Sequence, residues 1–323
     1  MHALVIGGNG FVGSHLVRHL LACNIAVTAT FRNTKPTELS ATTWQQLDIL
    51  DVDACDDIIA GHTHVFHCAN AVSFDSADAE ALLHNNVEGT ANVVNACLEH
   101  KVEKLLFVSS VAAIGRAHGG ALVTEKTPWL TNSQNSTYAI SKYRAEMEVW
   151  RGSGEGLKVV IVNPSIILGE GDWHSSSAQL FKHAYDEFPF YTSGANGFVD
   201  VHDVVRAMQL LMQSDIYNER FILNGGNHSY EFILQNMATA MQRKPPARLA
   251  KPWMTAIVWR LYALRKLFTG KRALITQETA RTAQSKYAYD GSKIVNLLPQ
   301  FTYTSIQQTI ARACAFYVAK QAQ

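Results

Sequence analysis

The feature that most constrains the fold is the run Gly7-Gly8-Asn9-Gly10-Phe11-Val12-Gly13, set between an apolar run, Ala3–Ile6, and an amphipathic stretch, Gly13–Cys23. Glycines at such a strand-to-helix junction permit a tight turn, close backbone approach to a pyrophosphate, and close helix–strand packing. The helix start then offers unpaired N–H groups and a positive dipole end to an anion. Two registers overlap, Gly8-x-Gly10-x-x-Gly13 and Gly7-x-x-Gly10-x-x-Gly13. A plain structural turn reads the same way, but the position between strand and helix favours dinucleotide binding.

Further apolar runs follow at Ile25–Phe31, Thr43–Leu47, His64–Cys68, Lys104–Ser109 and Leu157–Asn163. Between them lie helical patterns at Ala79–His100 and Tyr138–Arg151. Short buried strands alternating with helices predict a parallel sheet covered on both faces, hence a doubly wound α/β architecture. After Pro164 the rhythm changes: Gly169–Gly171 and Ser175–Ser177 open an irregular region, then comes Phe188-Pro189-Phe190-Tyr191. A helix at Asp203–Gln213 and a strand at Arg220–Leu223 read as a return to the main sheet. The expected division is a nucleotide domain at 1–164 with 200–225, and a smaller, helix-rich substrate lobe at 165–199 and 226–323.

Composition narrows the function classes. Hydrophobic residues are 47% and charged residues 17%, which excludes a disordered chain or a charge-driven coiled coil. The 28 basic and 27 acidic residues leave no broad electrostatic footprint for nucleic acid. The five cysteines lack C-x-x-C spacing and fit reduced thiols of a cytoplasmic protein. Met1-His2 runs straight into Ala3–Ile6, leaving no room for a cleavable presequence. No charge-free apolar stretch of roughly 18 residues, the length of a spanning helix, occurs.

The loop after the second strand, Thr30-Phe31-Arg32-Asn33-Thr34-Lys35, has two cations and no acid. An acid there would bond the ribose 2′-OH of NAD; Arg32 instead suits a 2′-phosphate, and Lys35 adds charge. NADP(H) is therefore favoured, with NAD(H) the alternative. Asp48 is read either as an acceptor for the adenine amino group or as a helix N-cap.

Tyr138-Ala139-Ile140-Ser141-Lys142 places Tyr138 and Lys142 at i and i+4, on one helix face. An ammonium and an oxidised nicotinamide would lower a tyrosine pKa from about 10 toward the working pH. Tyr-x-x-x-Lys alone is common. Its specificity comes from the glycine turn and from Ser109-Ser110 at a strand end.

Together these residues resemble an extended short-chain dehydrogenase/reductase of the NAD-dependent epimerase/dehydratase family, most of all its dihydroflavonol 4-reductase and 3β-hydroxysteroid dehydrogenase branch. The matching stretches are Gly7-x-x-Gly10-Phe11-x-Gly13, Val65-Phe66-His67-Cys68-Ala69, Asn86-Val87-x-Gly89-Thr90, Val108-Ser109-Ser110, Tyr138-x-x-x-Lys142 and Asn163-Pro164-x-x-x-x-Gly169. Phe198-Val199-Asp200-Val201-x-Asp203-Val204 and Tyr289-Asp290-x-Ser292-Lys293 extend the similarity over nearly the whole chain. The resemblance implies a Rossmann-type fold, Tyr138 as acid/base, Lys142 as its electrostatic partner and ribose ligand, and Ser110, not Ser109, as the serine on the reacting oxygen. It also implies cofactor contacts from Gly7, Asn9, Gly10, Phe11, Val12, Ile49, Ala69, Asn70 and Asn163. Asn86 joins them from the helix that supports the lysine end of the site. Asn70 stands where the family often has a small residue. A homodimer through a helix pair is common in the family.

Other features read as structural. His62-x-His64-x-x-His67 straddles the start of a buried strand without a carboxylate cluster, so no metal site is expected. His15 and His19 are placed on the solvent face of the first helix. The basic, aromatic stretch Lys251–Lys271 is read as a lobe helix with its apolar face on the core, membrane contact being the minority reading. Trp173, Phe188, Phe190, Tyr191 and Phe198 fit an apolar pocket or a lobe core equally. The expected activity is NADP(H)-dependent hydride transfer to or from a carbonyl or alcohol of a small organic substrate. The alternatives are a nucleotide-sugar epimerase or dehydratase with retained cofactor, disfavoured by the lack of an arginine cluster near Trp173–Tyr191, and a redox sensor without turnover.

Overall fold

In the computed structural model the residues described are 2–37, 39, 42–73, 75–115, 121–131, 135–173, 176–269 and 276–321, the side chains of 76, 176 and 263–269 excepted. Ser175 and the side chains of Arg265, Lys266, Phe268, Lys271 and Arg272 lie outside them. The strands are β1 (Ala3–Ile6), β2 (Val27–Phe31), β3 (Thr43–Gln46), β4 (His64–His67), β5 (Lys104–Val108), β6 (Val159–Pro164), β7 (Ile166–Leu168), β8 (Phe190–Tyr191), β9 (Ala195–Asp200), β10 (Glu219–Leu223), β11 (Gly226–Ser229) and β12 (Arg248–Leu249). The first helices are α1 (Phe11–Ala22), α2 (Val52–Ile59), α3 (Ala79–Leu83), α4 (Gly89–Glu99), α5 (Thr137–Gly154) and α6 (Gln179–Tyr185). Then come α7 (Val201–Gln213), α8 (Tyr230–Ala240), α9 (Pro252–Thr269), α10 (Gln277–Gln284), α11 (Ser292–Leu297) and α12 (Ile306–Gln321).

Seven parallel strands form the main sheet in the order β10-β6-β5-β4-β1-β2-β3. This is a Rossmann-type α/β fold. Every residue of β1, β5 and β6 is buried, as a sheet covered on both faces requires. One face packs Leu16, Val17, Leu20, Val204, Met208 and Leu211, from α1 and α7, on the strands. The other packs Val93, Val94, Cys97, Ala145 and Val149, from α4 and α5. Each such aliphatic side chain contributes about 2 kcal/mol of burial. The edge strand β3 is mostly exposed and polar.

Strand order reverses between β1 and β4, the switch point where α/β sheets leave a crevice outside the strand ends. The Gly7–Gly10 turn leaves β1 there, and Ala69–Ala71 leaves β4.

Two small sheets, β11-β9-β7 and β12-β8, lie outside the main one. A third core, with Leu168, Phe181, Phe198, Ile233, Ile310 and Tyr317, holds α6, α8 and α12 together. Phe198 is thus fully buried lobe core, and Trp173 stacks on Tyr317 with ring centroids 5.6 Å apart. Ile294, Leu298 and Phe301, sequentially in the C-terminal lobe, instead pack into the core of the main sheet. The chain therefore returns to the nucleotide domain a second time.

Three local expectations change. The helix expected over Ala79–His100 is interrupted by a π turn at His84–Glu88, which turns Asn86 inward. His15 is not on a solvent face: α7 packs on α1 there, leaving His15 8% exposed. Its Nδ1 is 2.9 Å from Phe11 O, and its ring stands edge-on to His202 at 5.4 Å. On α9 the apolar side chains do not all meet a core, since Trp253, Ile257 and Leu261 are exposed.

All five cysteines are free thiols. Among the described residues no helix is long and apolar enough to cross a membrane.

Candidate active site

The turn after β1 closes through Gly10 N donating to Gly7 O at 3.0 Å, with Gly7 at φ 79°. A Cβ on Gly13 would stand 2.1 Å from Gly7 O, so only glycine lets α1 start this close to the turn. Gly7 N donates to Thr30 Oγ1 at 3.0 Å, tying the turn to β2. Asn9 and Gly10 are exposed, and Phe11 and Val12 are half-buried.

Arg32 and Lys35 stand exposed just past β2. The Arg32 guanidinium donates to Asn85 Oδ1 at 3.2 Å, on the π turn that bears Asn86. Asp48 is not the N-cap of α2: that is Asp51, whose carboxylate accepts from Ala54 N at 3.0 Å. Asp48 is exposed and closes a small turn by accepting from Leu50 N at 3.1 Å. Its neighbour Ile49 is buried core, and Ile49 O accepts from Asn92 on α4 at 3.0 Å.

Asn86 is 3% exposed and fully engaged. Its Oδ1 accepts from Ala71 N at 2.8 Å; its Nδ2 donates to Ala71 O at 3.0 Å and to Ser141 Oγ at 3.1 Å. The side chain pins the loop after β4 to α5, next to Ala69 and Asn70.

Helix α5 starts at Ser136, whose hydroxyl accepts from Ala139 N at 2.9 Å. From this cap the i, i+4 spacing carries Tyr138, Lys142 and Glu146 down one face toward the ends of β5 and β6. The Tyr138 hydroxyl hydrogen-bonds Ser110 and Asn70. Burial raises its pKa, which these two bonds oppose. Lys142, 1% exposed, donates to Val108 O at 2.8 Å and lies 4.3 Å from the Phe107 ring centroid. Burial pushes its ammonium down to about 7, against the pull of Glu146 and Cys68.

The two serines divide their work. Ser110 Oγ accepts from Ala112 N at 3.1 Å and faces Tyr138. Ser109 Oγ points inward and donates to Glu146 Oε2 at 2.7 Å. Asn163, fully buried, donates from Nδ2 to Ser110 O at 3.0 Å and to Glu146 Oε2 at 2.9 Å. Arg220 closes the set, its guanidinium 3.2 Å from Glu146 Oε1. Glu146 and Arg220 carry no sequence motif of their own; the i+8 spacing from Tyr138 was the one signal that could have found Glu146.

The residues present fit a dinucleotide. The glycine turn leaves backbone N–H groups at the start of α1, and it holds its shape only without side chains: a Cβ on Gly7 would meet Ala69 N at 2.6 Å and one on Gly13 would meet Gly7 O at 2.1 Å. Asn163 Oδ1 is a buried acceptor with no hydrogen-bond partner among the described residues.

His62 stacks on His2, and His67 Nε2 meets Thr90 Oγ1 at 3.1 Å. His15, Glu170 and His202 do come together, with His202 Nε2 3.2 Å and His15 Nε2 3.8 Å from Glu170 Oε2. Arg312 already neutralises this carboxylate, its Nε 2.6 Å from Glu170 Oε1.

Fold and site define an NAD(P)-dependent oxidoreductase of the reductase/epimerase type. The chain belongs to the NAD dependent epimerase/dehydratase family, whose model matches residues 3–223. It is 29% identical to a Synechocystis protein provisionally named dihydroflavonol 4-reductase, over 97% of this chain and 93% of the relative. It is 29% identical to anthocyanidin reductase of Arabidopsis thaliana, over 72% of this chain and 79% of that protein. The crystal structure of gox2253 superposes with a TM-score of 0.84 at 28% identity, covering 99% of this chain and 98% of that one. Thermus thermophilus UDP-glucose 4-epimerase, solved with NAD, shares the fold at a TM-score of 0.78 and 21% identity, covering 98% of this chain and 99% of that one.

Proposed function

We propose that this protein is an NADP(H)-dependent ketoreductase or alcohol dehydrogenase for a small organic substrate, with Tyr138 as proton donor and acceptor. The observation that carries the reading is Tyr138 set against Ser110 and Asn70, one helical turn from Lys142, where the adjoining Ala69 packs against Gly7 of the glycine turn. Reductase-named relatives support the direction of the chemistry.

Bound nicotinamide supplies or takes the hydride and, when oxidised, a positive charge. Tyr138 gives the proton to the substrate oxygen in reduction and takes it back in oxidation. Ser110 donates a hydrogen bond to that oxygen where negative charge develops. Lys142 stands one turn along α5 from Tyr138, and its charge would favour the tyrosinate. Asn163 and Glu146 keep the two strand ends in place by holding Ser110 O and Ser109. The acid-free loop with Arg32 and Lys35 supports NADP over NAD.

The test is NADPH oxidation with a panel of aromatic and alicyclic ketones, coupled with an assay for cofactor carried through purification. Turnover with freely exchanging NADPH supports the proposal. Tightly retained oxidised cofactor with no ketone reduction would favour an epimerase.

A further inference from the structure

Helix α9 has an apolar stripe that is exposed among the described residues. Trp253, Ile257 and Leu261 follow one another at i, i+4 and i+8, so they share one side of the helix. They are 62%, 49% and 59% exposed, and Leu249, on β12 just before the helix, is 43% exposed. Isolated exposed apolar residues are ordinary; a contiguous stripe with a tryptophan marks a contact surface.

The charge around the stripe says what it contacts. Between Glu231 and Glu278 the chain holds nine Lys or Arg residues and no Asp or Glu, against 28 basic and 27 acidic residues overall. Arg248, Lys251 and Arg260 are exposed at the stripe's start and along its length. A second copy docked stripe to stripe would set these cations against each other. An anionic bilayer meets both features, taking apolar and aromatic side chains at the headgroup level and cations on its phosphates. The helix is not apolar enough to span, so it would lie in the interface plane.

We propose that α9 docks this protein on an anionic lipid surface, with Trp253, Ile257 and Leu261 in the headgroup boundary and Arg248, Lys251 and Arg260 on the phosphates. Each Lys or Arg at such a surface strengthens binding roughly five-fold at low salt.

The experiment is co-sedimentation of the full chain with vesicles of phosphatidylcholine alone or mixed with phosphatidylglycerol, at low and high salt. Binding is expected to the mixed vesicles only, weakening as salt rises. Ile257→Glu should lose at least about ten-fold in vesicle affinity, and Arg260→Gln roughly five-fold. Both sites are exposed and away from the cofactor residues, so NADPH binding should stay unchanged in both variants; Leu261→Ser provides a milder change if Ile257→Glu misfolds. No binding to the mixed vesicles, or equal binding by wild type and a folded stripe variant, would overturn the proposal. So would a dimer that fails to bind vesicles and that Ile257→Glu converts to monomer, because a second copy would then be the occupant.

Discussion

Glu146 Oε2 accepts the Ser109 hydroxyl at 2.7 Å, directly beneath the serine that meets Tyr138. The carboxylate is fully buried one helical turn from Lys142 and opposes the burial that lowers the lysine's pKa to about 7. Buried carboxylates of this kind act by sign. Glu146→Gln should therefore depress the Lys142 pKa further and move the alkaline limb of kcat/KM to lower pH, by roughly one unit. A pH–rate profile measures it. A limb that stays put in a folded variant would mean that Glu146 does not set the charge on Lys142.

His67 links stability to pH. Burial lowers its pKa from 6.5 to about 3, with Lys142 adding to the effect. The unfolded chain binds the extra proton between those values, so stability rises with pH through this window and is lost on acidification from 6.5 toward 3. The contribution is on the order of 5 kcal/mol across the window. Urea unfolding of wild type and His67→Leu at several pH values should show a flatter acid dependence in the variant. Parallel slopes would refute the assignment.

Arg312, on α12, holds Asp200 at the end of β9 and Glu170 just past β7. Its guanidinium reaches both oxygens of the fully buried Asp200 at 2.7 Å and Glu170 at 2.6 Å. Although burial works the other way, hydrogen bonds from His15, His202 and Arg312 hold the Glu170 carboxyl well below the usual range. Arg312→Met should cost about 2–3 kcal/mol in urea unfolding, because Asp200 is left buried without its counter-charge. A loss below about 0.5 kcal/mol, the level of an ordinary surface change, would count against this role.

In the proposed function, cofactor choice rests on Arg32. A charge-assisted hydrogen bond is worth about 1.5–3 kcal/mol, or roughly 10- to 150-fold in affinity. Arg32→Asp should weaken NADPH by at least that and leave NADH binding similar or better, as read by fluorescence titration. Wild type preferring NADH, or a mutant that keeps its NADPH affinity, would point to NAD.

The sheet was legible because strands buried on both faces are near-continuous apolar runs, as β1, β5 and β6 are. Tyr138 and Lys142 were legible because four residues make one helical turn. The π turn at Asn86 was not, since it answers to Ala71 and Ser141, 15 and 55 residues away. Nor was the Glu146–Arg220 pair, joined across 74 residues. His15 and α9 show the same limit: periodicity finds an apolar face, but only packing decides whether a neighbour covers it. His15 gained α7 as its cover, whereas Trp253 stays 62% exposed.

The most direct measurement compares Tyr138→Phe with wild type in two assays on one preparation: NADPH titration, and NADPH oxidation with the best ketone from the panel. Loss of the hydroxyl should leave NADPH binding within a few-fold and reduce turnover by about 10²–10⁴-fold, the usual worth of a positioned acid. Turnover close to wild type with normal NADPH binding would contradict a proton relay through Tyr138.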